Sequence, residues 1–151
     1  MGSGYSWLKL VHVVAAIVAV GTNVTYFVWL ARAKSGTQSD RDTLEGIRAL
    51  DARLANPAYV VLPITGIAMV LVGDLDFGTL WIATAIVLYV AMAAFAGLFF
   101  TPSLKRQIAI TASDGPADAY RAAARRTTTT GIITMAFIAV ILYLMVIKPN
   151  A

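Results

Sequence analysis

The sequence predicts an all-α membrane protein, an antiparallel bundle of four transmembrane helices with both termini on the extracytoplasmic side. Three observations lead there. The 151 residues are 59% hydrophobic and 13% charged, with a mean hydropathy of +0.75, whereas soluble domains carry roughly 25% charged residues. The apolar residues gather into four blocks, each near the ~20 residues that a helix needs to cross hydrocarbon. The charges between the blocks are distributed asymmetrically. Little chain remains outside the blocks, so residues 1–151 form a single domain.

The first block runs from about Trp7 to Ala31. No basic segment precedes it and it exceeds a signal-peptide core, so it is read as a retained span. On a helical wheel at ~100° per residue, Lys9, His12, Ala16, Ala19, Asn23 and Tyr26 share one stripe. Val14, Ile17, Val24 and Val28 lie opposite. Small and polar residues favour close helix packing with hydrogen-bonded partners, so the stripe should face the bundle and the aliphatics lipid. Asn23-Val24-Thr25 matches a glycosylation sequon, but its depth in the span favours an interhelical hydrogen bond from Asn23.

A cytoplasmic amphipathic helix over about 40–54 follows, with Ser39 or Asp40 as its cap and Leu44, Ile47, Leu50 and Leu54 at helical spacing. It leads into the second span, about 54–72, in which Pro63 removes a backbone donor and predicts a kink. A tight turn with Asp74 and Asp76 leads to the third span, about 77–104, where Ala93 and Gly97 form a small-xxx-small pair. Asp114 or Gly115 would cap a helical extension over about 116–127, continuous with the fourth span, about 128–147. Thr127 to Thr130 are placed to bond back to their own helix.

Of the 12 Lys and Arg residues, Lys9 and Lys148 fall on one side and the other ten in the first and third connections. Lysine and arginine mark the cytoplasmic side, which places the termini outside a bacterial inner membrane. The same asymmetry accounts for the net charge of +4 without nucleic acid as a partner; the expected surroundings are the lipid bilayer and a second copy or a membrane-complex partner. Trp7, Tyr5, Trp81 and Tyr143 fall near one boundary and Trp29 near the other, as in an aromatic belt.

With no cysteine in the chain, disulfides, thiolate metal sites and cysteine nucleophiles are excluded. No catalytic motif occurs, and every Asp and Glu is read as lying in a connection, which weighs against a buried proton relay. His12, the single histidine, is therefore the residue on which function turns. It is read first as a packed, hydrogen-bonded side chain, with haem b or metal ligation and a proton or pH role as alternatives. Haem would need a second axial ligand; Met69 and Met145 match His12 in depth, and Lys9 could meet a propionate or lipid headgroup.

The order of four spans, the opening "WLKLVHVVAAIVAVG" and the basic first loop resemble a bacterial family of small predicted integral membrane proteins of unknown function. The "LK..H" opening, with Gly21 nine residues after His12, is also similar to the first spans of the copper-resistance protein D family and of HemJ-type protoporphyrinogen oxidases. That resemblance implies a haem or copper role for His12, with Lys9 and Gly21 as accompanying positions. Ala19 stands near the place of those families' tryptophan, and no further histidine is present. The function expected is a non-enzymatic bundle or accessory subunit; a haem b or metal protein using His12 is the alternative, and a small transporter or channel the second alternative.

Overall fold

A computed structural model describes residues 3–113 and 115–149. Six α-helices follow in order: α1 Ser3–Arg32, α2 Gln38–Leu50, α3 Asn56–Val72, α4 Leu80–Phe95, α5 Thr101–Ala112 and α6 Ala117–Ile147. Short π-helical segments, Asp51–Ala55 and Ala96–Phe100, join α2 to α3 and α4 to α5. The result is four long rods, each apolar enough over 18 residues to cross a membrane. No strand occurs among the described residues. α1 packs chiefly along α3, and α4 along α6, while α2 and α6 both lean on α5.

The two π segments have a readable cause. Each ends two residues before a proline, Pro57 or Pro102. A proline lacks the N–H that would bond the carbonyl four residues back, and its ring clashes with that carbonyl. The carbonyls concerned, Arg53 and Leu98, lie inside the π segments. Asn56 and Thr101 instead donate five residues back, to Asp51 and Ala96. The wider turn lets the helix pass its proline without breaking.

Packing differs along the rods. Within the apolar spans, the buried residues of α1 and α3 are mostly small, among them Ala15, Ala19 and Ala58, while Ile17, Val24 and Val28 point outward. Helices in hydrocarbon gain nothing by hiding leucine from lipid, so close backbone approach takes the place of a greasy core. The largest apolar cluster lies at the basic end, where water does drive burial. There Tyr26, Leu30 and Ala33 of the first rod and its exit meet Leu44 and Ile47 of α2, Phe100, Leu104 and Ile108, and Tyr120 of α6. A smaller cluster of Val70, Trp81, Ile82, Ala85 and Leu144 closes the opposite end. Trp81 therefore belongs to the bundle and not to an exposed aromatic belt; the Lys148 ammonium stands 5.4 Å from its ring centroid.

Two expectations about the connections require correction. The cap of α2 is Thr37, not Ser39 or Asp40. Asp40 occupies the third helical position and completes a capping box, and its Oδ2 accepts from the Ser35, Gly36 and Thr37 amides at 2.7, 2.6 and 3.3 Å. A cap of this kind is worth about 0.5–2 kcal/mol, and here it also folds the whole turn. Gly36 carries φ +75°, and a side chain there would meet the Tyr120 ring. At the head of α6, Gly115 is not the cap; Pro116 occupies that position and supplies no side-chain bond. Asp114 lies outside the described residues.

Asp40 is buried, and Asp51 is half-buried and reaches the first span, its Oδ1 accepting from the Tyr26 hydroxyl at 3.3 Å. Both therefore lie in connections, as expected of every acidic residue, but neither is left to solvent: the helix that runs from the first connection into the span carries Asp51 against a neighbour.

Candidate functional site

The polar residues of α1 meet α3 along one antiparallel seam. His12 lies beside Thr65 and Gly66, Asn23 beside Tyr59, and Tyr26 beside Asp51. The partner positions fall as the α1 positions rise, as an antiparallel helix pair requires. Of the wheel's stripe, Ala19 and Tyr26 are fully buried and His12, Ala16 and Asn23 are half-buried. Lys9 is exposed, so the interior face begins at His12.

His12 is held by geometry that favours one tautomer. Its Nδ1 lies 2.9 Å from Thr65 Oγ1. The Thr65 hydroxyl is within 2.8 Å of the Val61 carbonyl and 3.1 Å of the Leu62 carbonyl. A hydroxyl has one proton, and a helical threonine spends it on such a carbonyl. Thr65 then presents a lone pair to His12, so Nδ1 carries the imidazole proton and donates, while Nε2 keeps a lone pair. Gly66 lies against the same ring: a Cβ there would stand 3.4 Å from His12 Cε1, in van der Waals contact.

Deeper in the bundle, Asn23 donates to the Tyr59 hydroxyl at 2.7 Å and to its own helix at the Ala19 carbonyl, 2.9 Å away. This is the interhelical bond expected of Asn23. Tyr89 of α4 donates its hydroxyl to the Tyr59 carbonyl. That carbonyl lies four residues before Pro63, so it is the acceptor that the proline leaves without a helical donor. The proline is thus answered by a hydroxyl from the next rod, as membrane helices require of freed backbone groups. Tyr59 and Tyr89 were absent from the sequence candidates. Pro63 was their one available signal, since it identifies the orphan carbonyl at Tyr59 although not its donor.

The candidate ligands do not converge in the same way. Met145 packs beside the cluster of Val70, Trp81, Ile82, Ala85 and Leu144. Met69 is half-buried and sits one turn beyond Thr65 on α3, toward the chain termini. A cavity of about 10 Å³ lined by Asn23, Tyr26, Phe100 and Thr134 adjoins the seam; that is room for about one water molecule and far too little for a macrocycle. Among the described residues, no group of three or more His, Cys, Asp or Glu could hold a metal ion. His12, Asn23 and Tyr26 each have a partner on the second rod, and the intrachain donor set does not form a haem pocket.

The Pro63–Tyr89 relation yields a quantitative expectation. Tyr89→Phe should destabilise the protein by about 1 kcal/mol, at the upper range of polar contacts within membrane bundles. In a Pro63→Ala background, where residue 63 can donate to Tyr59 itself, the same change should have a clearly smaller effect. Reversible unfolding of the four proteins of this cycle in mixed micelles measures the difference.

No curated protein and no solved structure matches the chain. A family model described as "Predicted integral membrane protein (DUF2269)" matches residues 6–149, which takes in nearly all of the four rods. The chain therefore belongs to the DUF2269 family of predicted integral membrane proteins.

Proposed function

We propose that this integral membrane protein is a non-enzymatic bundle, an accessory or oligomeric subunit in which the polar stripe of α1 serves packing. The observation that carries this reading is the His12–Thr65 contact, 2.9 Å long: the one residue whose chemistry suggests a site is already joined to the neighbouring helix. Asn23 and Tyr26 have partners on the same second rod. A proton relay or transport path is less well supported. From His12 to Asn23 is eleven residues, about 16 Å of helix, and the stripe between them presents Ala16 and Ala19.

One observation favours a second reading. An imidazole oriented through Nδ1 and left with a bare Nε2 is the arrangement that second-shell bonds give to histidine ligands of metals. A haem b or metal ion at His12 would then take its other ligand from Met69, from Met145 after rearrangement, or from a second copy of the chain, with Lys9 available to an acidic substituent. The protein purified in mild detergent from haem-replete cells separates the readings. The packing role predicts a colourless protein, with His12→Ala merely less stable. A Soret band that disappears in His12→Ala would establish the haem reading instead.

The charge asymmetry supports a cytoplasmic basic end and extracytoplasmic termini in a bacterial inner membrane. Because the chain has no cysteine, single replacements report sidedness directly. In intact cells, a membrane-impermeant maleimide should label Asp76→Cys; Ser35→Cys should react only after lysis. The reverse pattern would invert the topology.

A further inference from the structure

At the basic end, a groove of about 730 Å³ runs between the last turn of α1 and the outward side of α2 and the π segment after it. Its two ends differ in chemistry. Ser39, Asp42 and Thr43 line the end farthest from the apolar spans, and Trp29, Leu50, Arg53 and Leu54 the end where the spans begin. Trp29 and Leu54 are both substantially exposed, 42% and 46%. In water that exposure would be costly. At headgroup depth it is where an indole is at home.

At the span end the groove lining carries positive charge only; Asp51, two residues from Arg53, is turned to Tyr26 instead. Arg53 lines the groove, and the Arg32 guanidinium lies 5.9 Å from the Trp29 ring centroid. The nearest lining carboxylate by sequence, Asp42, is eleven residues from Arg53, about 16 Å along the helix, and is engaged by Gln38. Two guanidinium groups beside an indole and two leucines, at the depth where acyl chains meet phosphates, complement an amphiphile with an anionic head. Guanidinium matches phosphate oxygens, and its uncompensated charge favours a head with net negative charge over a zwitterionic one whose phosphate is already paired with its own ammonium.

We propose that this groove binds one anionic phospholipid of the adjoining leaflet, its phosphate against Arg53 and its acyl chain along Trp29, Leu50 and Leu54. The site is distinct from the α1–α3 seam and does not depend on what His12 does.

Trp29 provides the reporter. Trp7→Phe removes the most exposed indole, and Trp81, only 8% exposed, is shielded within the bundle. The full-length Trp7→Phe protein is placed in phosphatidylcholine vesicles containing a small fraction of brominated phosphatidylglycerol, or the same fraction of brominated phosphatidylcholine. Bromine quenches indole only near contact. Phosphatidylglycerol should be preferred at Trp29 by roughly five-fold, the ratio expected for one basic residue at a lipid surface. Arg53→Gln should abolish the preference, Arg53→Lys should keep most of it, and Arg48→Gln, which removes a charge from the same end outside the groove, should leave it intact. Equal quenching by the two lipids in the parent protein, or equal losses in Arg53→Gln and Arg48→Gln, would overturn the proposal.

Discussion

Inside a bilayer, no backbone or side-chain polar group can be left to water. Most of what is distinctive in this chain follows from that constraint. His12 and Asn23 are each held by a group on the second rod, and Tyr26 by Asp51 where that rod leaves the apolar region. The carbonyl that Pro63 leaves unanswered receives the Tyr89 hydroxyl. The prolines at 57 and 102 are absorbed by π turns that redirect the hydrogen bonds around them. α1 and α3 therefore approach closely not because they are greasy but because their polar groups need each other and small residues such as Ala19 and Ala58 let them come near.

The basic end works on different physics. Where the rods reach the basic connections, burying Leu44, Ile47 and Tyr120 against Phe100 and Leu104 is favourable in the ordinary way, and this is where the dense apolar core forms. Tyr120 ties it together by donating to the Ala33 carbonyl at 2.7 Å and accepting from Gln107 at 3.2 Å. Asp40 folds the turn that brings α2 back against α1. A bundle whose rods are joined by polar pairs in the membrane is thus clamped by a small water-driven core at one end, and the lipid groove sits at the junction of the two regimes.

The amount legible in the sequence tracks how local each cause is. Block length and charge placement are properties of a single segment against its solvent, so the four spans could be read directly. The stripe on α1 was visible because helical periodicity alone defines a face, and the threonine back-bonds at Thr127 and Thr130 are local to α6. The partners of that stripe were not visible. Thr65, Tyr59 and Asp51 are set by the register of two rods, which no single segment encodes. Asp51 could be placed in a connection from its own segment, but not against Tyr26. Thr37 was missed as the cap because Asp40 looks like a cap itself, whereas it is the return half of the box. The π turns had a signal, proline two residues on, that was open to a reader who followed each proline to its abandoned carbonyl.

The proposed packing role of His12 rests on its contact with Thr65. A chain with one histidine gives one imidazole, so ¹⁵N-histidine magnetic resonance of the protein in bilayers needs no assignment. A neutral ring at pH 8 with its proton on Nδ1, hydrogen-bonded, is expected, together with a change in that resonance in Thr65→Val. A metal-shifted Nε2, or an Nε2-protonated ring that Thr65→Val leaves unaltered, would contradict that role.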